Sequence, residues 1–180
     1  MEETRYLIRK AIYTDWIQIF ELYKSVSSVL GGLARNNEEI TEEYVKNFVS
    51  KSYQNGVQFV VLDRDENERV VAEVHCYKLD PKVFSHVLSE LTIAIDPDYQ
   101  GMGLGKQLFE SLLTYVQKER KGIYRIELIA RESNRKAITL YEKLGFKKEG
   151  RMEGRIKNHL GEFEADIPMA WFNPNFADFQ

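Results

Sequence analysis

The stretch "IDPDYQGMGLGKQLF", residues 95–109, decides how this chain is read. The apolar run "LTIAI" meets Pro97, three glycines follow within five residues (Gly101, Gly103, Gly105), and a helical pattern starts at once. Glycines between a strand and a helix let backbone N–H groups approach a phosphate closely. The free N–H groups of the first helical turn and the helix dipole favour negative charge there. Two known phosphate loops do not fit. A dinucleotide fingerprint, G-x-G-x-x-G, needs glycine where Lys106 stands. A G-x-x-x-x-G-K-[ST] loop fails at Gln100 and Gln107. What remains is Q-G-x-G-x-G after a strand, and a glycine-rich turn without a ligand is the competing reading.

Working outward, helix positions Leu104, Leu108, Leu112 and Val116, with Phe109 and Leu113 beside them, make one apolar stripe. Upstream, residues 6–11 read as a strand. Asp15 reads as the N-cap of a helix carrying Trp16, Ile19, Phe20, Tyr23 and Val26. Residues 31–37 form a connection, and Thr41 caps a second helix with Glu42 and Glu43 in its first turn. Residues 57–64 and 69–78 read as a hairpin, and 86–95 as the strand before the glycines. Downstream, 124–130 is a buried strand, "NRKAITLYEKLGF" a short helix ending at Gly145, and the last segments a final strand pair. The strand–helix–strand unit over 86–130 predicts a parallel pair with a right-handed crossover. The fold class expected is α+β, a mixed, mostly antiparallel sheet with helices on both faces. Residues 1–180 are expected to form a single domain.

With 25 Lys and Arg against 28 Asp and Glu, the net charge is -3, which argues against a nucleic-acid or anionic-membrane partner. No apolar run approaches the roughly 20 residues that span a bilayer. The single cysteine, Cys76, excludes an internal disulfide, and the first residues lack a signal-type apolar stretch, so a cytoplasmic protein is expected. His75, His86 and His159 show no metal-ligand spacing, and no metal is expected.

Two motifs carry a resemblance. "Gln100-Gly101-Met102-Gly103-Leu104-Gly105" resembles the acetyl-CoA pyrophosphate loop of the GNAT superfamily of N-acetyltransferases, R/Q-G-x-G-x-G/A. "Asn134-Arg135-Lys136-Ala137-Ile138-Thr139-Leu140-Tyr141" followed by "EKLGF" is similar to that family's N-x-x-A-x-x-L-Y-x-x-x-G-F. The two stand in the family's order with a strand between them. The resemblance covers residues 57–172 well and 1–56 in outline.

It implies the GNAT fold, in which the parallel strand pair is splayed. It implies acetyl-CoA as co-substrate, held by Gln100 through Lys106, by the strand at Ile93, Ala94 and Ile95, and by Asn134, Ala137 and Tyr141. It also implies direct transfer of an acetyl group to a primary amine of a small molecule such as an amino acid or polyamine. Acetylation of a protein N-terminus or ribosomal protein, and a non-catalytic acyl-CoA-binding module, stand as alternatives. Tyr141 matches the family tyrosine near the sulfur; its reference pKa of about 10 suits a proton donor to a thiolate. A core tyrosine is the plainer reading.

Glu90 resembles the acidic residue of phosphinothricin-type acetyltransferases and is the candidate base. Period two puts it on a face with Thr92 and Ala94, in a strand expected to be buried. Glu73, which shares a face with His75 and Tyr77, is its rival, and a water chain is a third route. Cys76 shares a face with Val70, Ala72 and Val74 and reads as an inert core thiol. Acceptor specificity is expected in residues 27–39 and 154–163. A homodimer is the family expectation.

Overall fold

The computed structural model describes residues 4–29, 31–158 and 160–177. Its strands are β1 (Tyr6–Lys10), β2 (Gly56–Asp63), β3 (Arg69–Tyr77), β4 (Val87–Ile95), β5 (Arg125–Arg131), β6 (Lys147–Lys148), β7 (Met152–Lys157) and β8 (Phe163–Phe172). The helices are α1 (Trp16–Ser27), α2 (Glu42–Asn55), α3 (Leu104–Glu119) and α4 (Arg135–Lys143). Strand order is β1-β2-β3-β4-β5-β8-β6, with β7 also paired to β8. This is the mixed α+β sheet expected, with β1–β2, β2–β3, β5–β8, β6–β8 and β7–β8 antiparallel and β4–β5 parallel.

The chain packs as two compact units. One gathers the chain up to Tyr77 with Thr92–Leu112, and the other gathers Lys78–Leu91 with the chain from Leu113 onward. In the first unit, α1 buries Ile19, Leu22, Tyr23 and Val26, and α2 buries Val45, Phe48 and Val49. Both stripes follow the helical period and pack with Val60, Leu62, Val70 and Ala94 into one apolar cluster. Ala94 belongs to that cluster, whereas a Cβ built on Gly105 of α3 would meet the Ile95 and Ile93 side chains. Successive β4 residues therefore face α1/α2 and α3 in turn, and helices cover both faces here. In the second unit, β5 pairs along its whole length with β8, from Arg125–Phe172 to Arg131–Asp166.

Thr41 caps α2, its hydroxyl accepting the Tyr44 N–H at 3.1 Å. Asp15 does not cap α1 as expected. Its carboxylate accepts the Ile12 N–H at 2.8 Å and pairs with Arg9, serving the short 3-10 turn Tyr13–Asp15 instead. The last segments hold three strands, not two, since the two-residue β6 also pairs with β8. A bulge where Val61 pairs with Ala72 and Leu62 with Val70 breaks the alternation of β3 at Val71. Val70 then packs in the α1/α2 cluster, off the face expected to carry it with Cys76.

Candidate active site

The loop before α3 is built by three glycines that do two different jobs. Gly101 and Gly103 have φ of +82° and +79°, a left-handed conformation that glycine adopts without strain. A Cβ on Gly101 would meet nothing within 4 Å, and one on Gly103 would meet only the Gln107 amide nitrogen at 4.0 Å. Gly105 is different. A Cβ there would come within 2.9 Å of Ile95 Cδ1, so this glycine lets α3 approach β4 closely. The sequence reading gave all three one purpose; the third is a packing residue.

Among the described residues, the N–H groups of Gly101, Met102 and Gly103 donate to no carbonyl. The first helical bond runs from the Gln107 N–H to the Gly103 carbonyl at 3.2 Å. The N–H groups of Leu104, Gly105 and Lys106 fall in the first turn, where a helix leaves its donors free. The result is a run of open donors at the positive end of a sixteen-residue helix. Its chemistry suits an anion with several oxygens.

In the second unit, Asn134 caps α4, its Oδ1 accepting the Ala137 N–H at 3.2 Å. The cap occupies the acceptor only. The exposed amide NH2 donates to no group among the described residues. Tyr141 sits two turns on, 8% exposed, its ring 5.9 Å from that of Phe146. Burial pushes its phenol up to about 12, so it keeps its proton throughout the neutral range. Gly145 ends the helix at φ +94°, as its position predicts.

Glu90 departs from the reading most. It is exposed, not buried, and has a left-handed φ of +57° within β4. The parallel ladder comprises Val87–Arg125 and Leu88–Ile126, two residues short of it. Strict alternation fails at such a residue, so Glu90 does not simply share the face of Thr92 and Ala94.

Its rival Glu73 is fully buried and engaged. Tyr23 Oη donates to Oε2 at 2.8 Å, Gln58 Nε2 donates to Oε1 at 2.8 Å, and His75 Nδ1 lies 2.9 Å from Oε1. The His75 ring stacks on Phe48 at 4.2 Å and 7°. Burial, with Glu73 alongside, pushes the Tyr23 phenol well above its usual value. A carboxylate held this way anchors α1 to the sheet and is not open to an incoming amine. Alternation placed Glu73 and His75 on one face; Tyr23 and Gln58 joining them was not readable. Cys76 is fully buried.

Of the segments expected to set specificity, one includes residue 30 and the other His159, which lie outside the described residues. From the second, Gly154, Asn158, Glu162 and Phe163 line a cavity of about 590 Å³ together with Glu132, Arg135, Arg151 and Glu164. Among the described residues, no group of three or more His, Cys, Asp or Glu side chains is placed to hold a metal ion. Likewise, no helix among them is long and apolar enough to cross a membrane.

The model of the Acetyltransferase (GNAT) family matches residues 16–146. Over 63 residues the chain is 49% identical to the ribosomal-protein-bS18-alanine N-acetyltransferase of Escherichia coli, covering 33% of this chain but only 41% of that protein. It is 29% identical over 147 residues to the N-acetyltransferase YnaD of Bacillus subtilis, 81% of each chain. A GNAT-family acetyltransferase structure from Streptococcus pneumoniae superposes with TM-score 0.79 at 25% identity, over 93% of this chain and 99% of that one. A phosphinothricin acetyltransferase from Sinorhizobium meliloti, solved with acetyl-CoA, gives TM-score 0.81 at 20% identity, over 98% and 93%. The latter likeness is one of fold.

Proposed function

Because the chain belongs to the acetyltransferase (GNAT) family, we propose that it moves the acetyl group of acetyl-CoA directly to a primary amine of a small molecule, such as an amino acid, polyamine or amine-bearing metabolite. One observation carries the reading: the run of open N–H donors from Gly101 into the first turn of α3, shaped by two left-handed glycines. A pyrophosphate fits this chemistry, since its oxygens need several donors and close backbone approach. The solved relative that holds acetyl-CoA supports the choice of co-substrate.

Acetyl-CoA supplies an activated thioester and a thiol leaving group. Gln100 through Lys106 hold its pyrophosphate, and the backbone of Ile93, Ala94 and Ile95 holds its pantetheine arm. Asn134, by its free amide donors, and Ala137, at the open first turn of α4, contact it further. Tyr141 donates the phenolic proton to the departing sulfur, and Glu90 accepts the proton of the attacking amine. Glu90 is preferred to Glu73 because all the neighbours of the buried Glu73 carboxylate already occupy it. Direct transfer needs no acyl-enzyme, in keeping with a fully buried Cys76.

The test is thiol release from acetyl-CoA across amino acids, polyamines and peptides. A small primary amine should raise release well above background hydrolysis and gain one acetyl group. Tight CoA binding with no turnover on any acceptor would leave a binding module in place of an enzyme. A second reading has its own observation in the relative that acts on ribosomal protein bS18. Preference for peptides with a free N-terminal alanine over every small amine would select it.

Two residue predictions follow from this assignment. Asn134→Asp keeps the capping oxygen but replaces two donors with a charge. CoA affinity should fall by roughly tenfold while Tm holds, as the loss of hydrogen bonds to a ligand predicts. Unchanged affinity would reduce Asn134 to a cap. Glu90→Gln should cost most at low pH, where the amine arrives protonated. The loss in kcat/KM should be about tenfold or more near pH 6 and shrink towards pH 9. A profile parallel to that of the wild type would remove Glu90 as base.

A further inference from the structure

The chain entering the glycine loop is tied down by two buried carboxylates outside the loop. Asp96 follows β4 and caps the 3-10 turn Pro97–Tyr99, accepting the Asp98 N–H at 3.0 Å. Its side chain pairs with Arg69, and its own N–H donates to the Val71 carbonyl at 2.9 Å. That fixes the start of the turn. The other carboxylate, Asp63 at the end of β2, fixes its finish. The Asp63 side chain is 0% exposed. It accepts from Arg5 Nη2 at 2.7 Å, from the Asp65 N–H at 3.0 Å and from the Tyr99 hydroxyl at 2.9 Å.

The Arg5 guanidinium, with the Tyr99 and Asp65 donors, holds the Asp63 carboxyl down to about 2, so the acceptor is an anion under all working conditions. The Tyr99–Asp63 bond is therefore charge-assisted, and a bond of that kind is short and directional. Tyr99 is the last residue before Gln100, where the loop begins. Its ring meets that of Tyr6 edge-on at 6.2 Å, and the Tyr6 hydroxyl reaches Met102 Sδ, inside the loop, at 3.4 Å.

Glycines make a loop open to an oxyanion, but they also leave it free to move. Binding by backbone donors depends on those donors being in place beforehand. We propose that Asp63, acting through the Tyr99 hydroxyl, is a positioning residue that sets the glycine loop for the anionic part of the acyl donor. The inference rests on the reading that this loop takes acetyl-CoA.

The experiment titrates CoA into the full chain by calorimetry and follows with steady-state kinetics. Tyr99→Phe deletes one hydroxyl and keeps the ring against Tyr6. CoA affinity should fall by about tenfold, the scale of one charge-assisted hydrogen bond, and KM for acetyl-CoA should rise by the same factor. The kcat and the acceptor KM should stay within about twofold, because nothing at the reacting atoms has changed. Thr41→Ala, which removes the cap of α2, serves as the stability control. It should lower Tm without moving CoA affinity, so a merely structural loss is told apart from a positional one.

Tyr99→Phe with CoA affinity and KM within twofold of wild type would overturn the proposal. So would a fall in kcat with KM for acetyl-CoA unmoved. A wild-type chain that binds no CoA overturns the loop reading itself, and this inference with it, before any variant is made.

Discussion

Tyr141→Phe is expected to lower kcat by about a hundredfold while CoA affinity stays within a few-fold, the scale on which a positioned general acid acts. The argument begins with the helix. Asn134 starts α4 and Gly145 ends it, which holds Tyr141 at a buried position. Removing the hydroxyl leaves the ring packed near Phe146, so the variant should fold and bind. What it lacks is the proton for the leaving sulfur.

Burial raises this phenol to about 12, which fixes the sign of the pH dependence. The proton is present below that value and lost only as pH rises through it. Wild-type kcat should therefore show no alkaline fall from this group up to about pH 10, the value at which an exposed phenol would titrate. The same raised value favours the folded state below an unfolded pKa of about 10, and that contribution fades as pH climbs through the folded one. A folded Tyr141→Phe with kcat within threefold of wild type would pass the proton to another donor and leave Tyr141 as a core residue.

Why some of this was legible and some was not is a matter of range. The helix stripes of α1, α2 and α3 repeat every three or four residues and were read correctly from their spacing. Both motifs were visible because each is local, and the φ of +82° and +79° at Gly101 and Gly103 is what glycine is for. Gly105 has the same letter and a different cause, since its neighbour is Ile95 across a helix–strand contact. A repeat of glycines does not show which of them faces a ligand and which faces a side chain.

Glu90 was misread for the opposite reason. A glutamate carries no mark for a left-handed backbone, which its own Cβ disfavours, so alternation was extended through it. Tertiary structure holds it there, and local preference does not. Tyr23, Glu73 and Gln58, and likewise Asp63 and Tyr99, meet across separations of 15 to 50 residues. Such polar contacts leave no periodic trace, whereas apolar burial does. The sequence could nominate Glu73 as a base, and only its neighbours could show that its oxygens are taken.

Gly103→Val should weaken CoA binding by about a hundredfold or more, through two effects that can be separated. At φ +79° a β-branched residue is forced into a conformation it avoids, at a cost of about 1–2 kcal/mol in stability. Its side chain would also stand in the open space that the bare backbone leaves, over the donors a pyrophosphate would use. Gly103→Asn separates them. Asparagine tolerates the left-handed region better than other side chains, so Tm should recover much of its loss. The obstruction remains, so CoA affinity should stay low. Recovery of both together would make strain the whole effect and remove the obstruction, leaving the loop's left-handed conformation as what CoA binding needs. Gly105→Ala gives the third comparison. Its Cβ meets Ile95 Cδ1 at 2.9 Å, the far end of a flexible side chain, so it should lower Tm modestly through packing. CoA affinity should move far less than for Gly103→Val, because that Cβ points at β4 and away from the donors. If calorimetry on a folded Gly103→Val gave CoA affinity within threefold of wild type, the loop would not hold the pyrophosphate, whatever its likeness to the family motif.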